Sequence, residues 1–299
     1  MQLSTNYKEK VLSELFATRS NFDGSDAAFA KQYGINSSVF SRLKSGEKDG
    51  LMKEAQWLQM GRRLNVSADE REWKPAKTIV FSYIEQEILF CKKYAKARIF
   101  VDDCGIGKTF TAKYLSRTLK NCFYIDASQC KARTQFIRHL GSTLGVGDNG
   151  RLVDIMSDIK YFLHALPSPI VIIDEAGDLD YNALLVLKEL WNATENACGW
   201  YMIGADGLRA KMIRGISNRK VGYRELFSRF SEKFSSVVPT ERQEKERFYR
   251  QLITDVLSIN ANPDVVPHIV KKCMIQQEGN IGGLRRAESL LILNEMSNE

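Results

Sequence analysis

Asp102-Asp103-Cys104-Gly105-Ile106-Gly107-Lys108-Thr109 is the stretch that decides how this chain is read. It follows an apolar run, Arg98–Asp102, and opens a helical stretch, the setting a phosphate-binding loop requires. Gly105 and Gly107 allow a tight backbone whose N–H groups converge on phosphate oxygens. The N-terminus of the following helix adds partial positive charge. Lys108 would reach the β- and γ-phosphates, and Thr109 would offer its hydroxyl to Mg²⁺. Cys104, Ile106 and Phe110 complete the segment expected to wrap a nucleotide. The full pattern has glycine where Asp102 stands, but the G-x-G-K-T core is intact.

Downstream, Pro169-Ile170-Val171-Ile172-Ile173-Asp174-Glu175-Ala176 reads as a buried strand with two carboxylates at its C-terminal end. In a wound parallel sheet that end is where ligands sit. Asp174 would hold Mg²⁺ and its hydration shell. Glu175 would polarise an attacking water, since phosphoryl transfer needs a positioned nucleophile. Together the two motifs point to ATP hydrolysis.

Outward from these motifs, strands and helices alternate, which implies a parallel sheet with crossover connections. The expected strands are Arg98–Asp102, Cys122–Asp126, Ile170–Asp174, Trp200–Gly204 and Ser236–Val238. Helices are expected at Thr109–Leu119, Thr134–Leu144, Leu152–Leu166, Tyr181–Thr194 and Leu208–Phe230, the last broken near Gly215 and Gly222. Three further helices, roughly 241–258, 264–277 and 281–296, make an all-α tail. At the other end, Ser25 caps one short helix, Gly34 stops it, and Asn36 or Ser37 caps a second with Val39, Phe40 and Leu43 inward. Leu51–Leu64 is also amphipathic. The expected layout is an all-α helix-turn-helix domain (1–65), a polar linker (66–76), an α/β P-loop core with a five-stranded parallel sheet (77–239) and a helical lid (240–299).

The 299 residues carry 43 Lys and Arg against 36 Asp and Glu, a net charge of +7, which suits a polyanionic partner. The six cysteines show no C-x-x-C spacing and only three histidines accompany them, so a zinc site or disulfide framework is not expected. The N-terminus has no apolar run with a cleavage site, and no stretch is long and apolar enough to span a bilayer. The expectation is a cytoplasmic protein without a membrane partner.

The apolar strand ending IDEA, the strand MIGAD, Ser228-Arg229-Phe230 before the last strand and Gly282-Gly283-Leu284-Arg285 in the tail together resemble AAA+ ATPases. The resemblance implies that the tail is a lid and that a neighbouring subunit completes each active site. Arg229 matches the arginine finger, with Arg224 the alternative. Arg285 matches the lid arginine that contacts the γ-phosphate, or Arg286 if the register is one off. Asp206 stands where the family usually has a polar sensor, Asn or Thr, near the tip of the fourth strand. Within AAA+, the layout is similar to the MuB/TnsC/IstB group, above all the target-selection ATPase of transposable phage Mu. That similarity implies ATP-dependent filaments of the protein on double-stranded DNA, with little sequence preference, and delivery of target DNA to a transposase.

DNA contact is expected in two places. One is the second helix of the N-terminal domain, where Ser37, Ser38, Ser41, Arg42 and Lys44 face outward; short hydroxyls and two cations suit phosphates better than a base code. The other is the core, through Ser128, Lys131 and Arg133 or through Arg209, Lys211, Arg214, Arg219 and Lys220. Two alternative functions stay open: a replication initiator or helicase loader, and an ATP-regulated helix-turn-helix repressor. Initiators usually carry a C-terminal winged helix, for which this tail is too short.

Overall fold

The computed structural model describes residues 3–297 except 23, 49, 65, 69–72 and 276–280. Five parallel strands form one sheet: β1 (Ala97–Val101), β2 (Cys122–Asp126), β3 (Ile170–Asp174), β4 (Gly199–Gly204) and β5 (Phe234–Ser235), in the order β2-β3-β4-β1-β5. Side chains alternate between its faces, as the twofold period of a strand demands. Ile99, Val101, Val171, Ile173, Trp200 and Met202 point to one core, and Phe100, Ile170, Ile172, Tyr201 and Ile203 to the other. The central strands are apolar on both faces because helices cover both.

One face is covered by α7 (Arg133–Leu144), α8 (Leu152–Ala165), α9 (Tyr181–Ala193), α10 (Asp206–Ser217) and α11 (Tyr223–Arg229). The opposite face packs under α5 (Ile79–Tyr94), α6 (Lys108–Thr118) and the start of α12 (Arg242–Asn260). α12 then joins α13 (Val266–Met274) and α14 (Leu284–Met296) around a smaller core that includes Ile253, Ile269 and Leu291. At the N-terminus, α1 (Thr5–Ser20), α2 (Asp26–Gln32), α3 (Ser37–Lys44) and α4 (Glu54–Arg63) enclose their own core around Phe29, Phe40 and Trp57. Ser4, Ser25 and Asn36 cap the first three by accepting backbone N–H groups, satisfying donors that a helix start leaves free. An ion pair between Glu14 and Arg117 at 2.9 Å links α1 to α6.

Three features differ from the sequence expectation. Helix α5 is additional; Thr78 caps it, and Val80, Ile84, Ile88 and Cys91 form its buried stripe. The last strand lies at Phe234–Ser235, paired with Ile99 and Phe100, rather than at Ser236–Val238. The ladder stops there because the N–H groups of Val237 and Val238 turn to the Asp102 carboxylate, at 2.6 and 3.1 Å. The stretch Leu208–Phe230, expected to break near Gly215 and Gly222, breaks only at the second of these and forms two helices. It breaks at 218–222, where Arg219 and Gly222 have φ of 52° and 92°; Gly215 stays helical and lets the Tyr223 ring pack against α10. The expected linker 66–76 and the expected lid helix 264–277 fall partly on 69–72 and 276–277, outside the described residues.

Gly199 opens β4 directly under α5, where a Cβ would lie 2.5 Å from the Cys91 carbonyl oxygen. Backbone cannot yield as a side chain can, so Gly199→Ala should destabilise the fold by about 1–3 kcal/mol, the usual cost of overpacking. Urea unfolding should show a lower midpoint at an unchanged slope.

Candidate nucleotide site

The loop leaving β1 turns on Gly105 and Gly107, with φ of 73° and 95°, a region that strains any residue with a Cβ. Asp102 and Asp103 lie outside that region, so glycine is not required there by conformation. α6 begins at Lys108, leaving its first N–H groups directed at the loop. The Lys108 ammonium donates to the carbonyls of Asp102 at 2.6 Å and Asp103 at 2.7 Å, across the loop mouth. Burial lowers its pKa, while nearby Cys104, Asp102, Glu175 and Asp174 favour the charge.

β3 delivers Asp174, almost completely buried, and Glu175 just beyond it. The Asp174 carboxylate accepts the Glu175 N–H at 3.0 Å and the Tyr124 hydroxyl, also at 3.0 Å. Tyr124 on neighbouring β2 therefore fixes the carboxylate's orientation, a supporting role that no sequence motif marks. Glu175 has φ 49° and ψ 37°, a left-handed conformation that costs a residue with a Cβ roughly 1–2 kcal/mol. Burial, and then the charge of Asp174, raise its carboxyl above the usual range.

A cleft of about 320 Å³ lies over the loop. Its floor is the loop itself, Cys104 to Thr111, with Glu175 and Ala205. One wall comes from Trp73, Lys74, Ala76, Thr78 and Phe81; the other comes from Val256, Leu257, Leu284, Arg285, Ala287 and Glu288. Ala76, Phe81, Phe110, Val256 and Leu257 make an apolar end suited to a flat heteroaromatic base. Sequence reasoning missed both walls apart from Arg285. The segment before α5 is strapped to the C-terminal helices: Asn260 accepts from the Lys74 N–H at 2.7 Å and donates to the Lys74 carbonyl at 3.0 Å. Trp73 donates to Glu288 at 3.0 Å. The signal available in the sequence was a tryptophan and a proline in an otherwise polar segment.

Cys104, Gly105, Ile106, Gly107, Lys108, Thr109, Phe110, Glu175 and Arg285 all line this cleft. Arg286 does not; its guanidinium donates to the Ile275 carbonyl at 3.0 Å. Asp206 opens α10, exposed, and the cleft is lined instead by Ala205 beside it. Arg229 is elsewhere. With Arg219, Lys220 and Arg224 it lines a separate concavity of about 650 Å³ that contains no residue of the phosphate loop. It donates to Asn192 at 2.5 Å and to the Glu225 carbonyl at 2.8 Å.

The expected DNA-facing residues divide. Ser37, Ser38, Ser41, Arg42 and Lys44 are exposed on α3, but Arg42 pairs with Glu47 at 2.6 Å and Lys44 with Asp26 at 2.7 Å. Lys131 pairs with Asp178 at 2.8 Å, Ser128 is half-buried and Arg133 is exposed. Arg209 and Lys211 turn inward, contrary to expectation. Arg209 lies over the Phe234 ring, and Lys211 donates to the carbonyls of Gly177 and Leu179. Arg214, Arg219 and Lys220 on the same segment are exposed.

The donors fit Mg²⁺ arriving with a nucleotide. No cluster of three or more His, Cys, Asp or Glu suited to a metal occurs among the described residues, whereas Mg²⁺ needs only one or two protein oxygens beside phosphates and water. Thr109 in the cleft and Asp174 at the strand end would supply them.

A glycine-turned loop after β1, acidic residues after β3 and the order β2-β3-β4-β1-β5 define a P-loop core of the AAA+ type. Residues 95–212 match the family model described as AAA domain. No curated protein matches the sequence significantly. Among solved structures, the chain is similar to the Aeropyrum pernix ORC1 protein in complex with DNA, at 16% identity and a TM-score of 0.52, covering 72% of this chain and 60% of that one. It is also similar to NtrX from Brucella abortus in complex with ATP, at 15% identity and a TM-score of 0.42, covering 86% of this chain and 64% of that one. The chain thus spans less than two thirds of either protein's length. No helix among the described residues is long and apolar enough to cross a membrane.

The raised pKa of Glu175 gives a test. Its folded-state carboxyl holds a proton more tightly than the unfolded chain does, so stability from this group is present at low pH and is lost as pH rises through the raised value. Glu175→Gln should raise Tm near neutral pH, and the gain should shrink towards about pH 4, where the unfolded group also protonates. Calorimetry across that range checks it; an unchanged or lower Tm at neutral pH would remove the electrostatic cost assigned to Glu175.

Proposed function

We propose that this protein is an ATPase that assembles on double-stranded DNA and delivers that DNA to a transposase. The observation that carries the ATPase reading is the cleft, which has Lys108, Thr109, Glu175 and Arg285 in one lining together with apolar side chains. Lys108 and the loop N–H groups hold the phosphates. Glu175, with its raised pKa, orients the attacking water and draws on its proton. Thr109 and Asp174 would hold Mg²⁺ arriving with ATP, which would neutralise charge on the phosphates.

The placement of Arg229 and Arg224 in a concavity apart from the loop supports a site shared between copies. A finger there meets a neighbour's nucleotide, not its own, and such a cation is worth about 10³–10⁵ in rate. Of the core cations expected to meet DNA, Arg133, Arg214, Arg219 and Lys220 are exposed. Repeated along an assembly, even two per copy give a basic track. The fold likeness to an ORC1 protein described in complex with DNA supports DNA as the partner, and it also favours an initiator or helicase loader as the second reading. The six unpaired thiols suit a cytoplasmic setting.

Arg229→Ala should leave ATP affinity nearly intact and abolish DNA-stimulated turnover. Lys108→Ala should lose ATP binding, and mixing the two variants should restore part of the rate. Normal hydrolysis by Arg229→Ala would move the finger to Arg224. DNA binding should fall with salt at a log–log slope of about −0.9 per phosphate contacted. Unrelated duplexes should differ by less than about tenfold, roughly 1.4 kcal/mol; a far larger preference for one site would favour the repressor. Transposase strand transfer in the presence of ATP and this protein decides between the transposition and initiator readings.

A further inference from the structure

Asp102 and Asp103 depart from the glycine-rich pattern of the loop, and both carboxylates reach out of it towards the C-terminal helices. Asp102, buried at the end of β1, accepts the N–H groups of Val237 at 2.6 Å, Val238 at 3.1 Å and Asp103 at 2.9 Å. Val237 and Val238 belong to the segment that leads from β5 into α12. Asp103 accepts the Tyr249 hydroxyl at 2.9 Å and pairs with Lys245 at 2.6 Å, both on α12. The Leu284 N–H, at the start of α14, donates to the Gly105 carbonyl at 2.8 Å. Asp103 and Gly105 are thus bonded to α12 and α14, the helices that wall the cleft, and Asp102 to the segment that leads into α12.

We infer that Asp102 and Asp103 are positioning residues that latch the phosphate loop to α12 and thereby set the wall over the nucleotide base. The inference rests on the nucleotide reading of the cleft. Helical geometry transmits the latch: Lys245, Tyr249, Leu252 and Val256 recur at spacings of four, three and four along α12, which places them on one face. Fixing the first two therefore fixes Val256, which lines the apolar end of the cleft. Although its partial burial opposes ionisation, the bonds from Lys245 and Tyr249 hold the Asp103 carboxyl below its usual range, so the latch is charged at neutral pH. A glycine at 102 or 103 would keep the loop's shape and lose the connection. A preset wall spares binding the cost of ordering it.

The test is hydrogen exchange and equilibrium binding on the full chain, with ATPγS and Mg²⁺ as the probe. Asp103→Asn, and separately Lys245→Met with Tyr249→Phe, should speed exchange across 242–253 in the free protein while the sheet stays protected. Each should weaken ATPγS binding about tenfold, the worth of one charge-assisted bond, and ATPγS should still protect 104–110 but no longer α12. Combining the two sets should weaken binding no further than either alone. Asp102→Asn should act in the same direction. Wild-type exchange in α12 and wild-type affinity in the Asp103 and α12 variants would overturn the latch, as would fully additive effects. If the wild-type protein binds no ATPγS while the variants still loosen α12, the contact stands and the nucleotide reading fails, taking with it the purpose assigned to the latch.

Discussion

The register of three parallel strands governs the chemistry of this molecule. β4 lies between β1 and β3, pairing Val101 with Gly204 on one side and Ile173 with Met202 on the other. The phosphate loop and the Asp174–Glu175 pair therefore emerge at the same edge of the sheet, although they are far apart in sequence. A strand displaced by one residue would turn its whole apolar set to the other face. Because helices cover both faces, two cores oppose that slip at once. The rigidity that positions the site is a property of the sheet, and the loop needs only two glycines to use it.

The parts legible in the sequence were those whose chemistry is local. A glycine-turned loop before Lys108 and a carboxylate pair after four apolar residues specify themselves within a few positions, so Cys104 to Phe110 and Glu175 could be read from the sequence, whereas Thr111 and Ala205 could not and Asp206 is not part of the lining. β1 to β4 were placed to within a residue because continuous apolar runs have one reading in a covered sheet, whereas β5, two residues long, was placed too late in the chain. What the sequence did not disclose was made by contacts between distant segments. Helix α5 hides in a region read mainly as the start of the core, and its buried stripe gains meaning only against β4. The wall formed by Trp73 and its neighbours exists because Asn260 brackets the Lys74 backbone. Asp102 looked like a defect in a motif, whereas its carboxylate is satisfied by backbone donors more than 130 residues later. Arg209 and Lys211 looked like surface cations and instead serve packing, which a count of charges cannot distinguish.

The site also shows where stability is held in reserve. Glu175 combines a left-handed backbone with a carboxyl whose ionisation is opposed by burial and by Asp174. Neither feature helps the fold, and the surrounding strand, with Asp174 bonded by Tyr124, over-determines the position enough to keep it. A carboxylate near a phosphate site is most useful as a proton acceptor when its pKa is raised towards neutrality, so the same environment that costs stability equips the residue for its proposed role.

The cysteines give the molecule a native reporter. Five are buried, and burial pushes the thiols of Cys91, Cys122 and Cys130 up to about 12, where almost no thiolate forms at neutral pH and alkylation is slow. Cys104 alone is exposed, and it sits on the rim of the phosphate loop. A maleimide added to the unmodified protein therefore has one accessible target, placed where a bound ligand would shield it. The rate of labelling becomes a measure of how much of the cleft is occupied, readable by mass without introducing a single substitution.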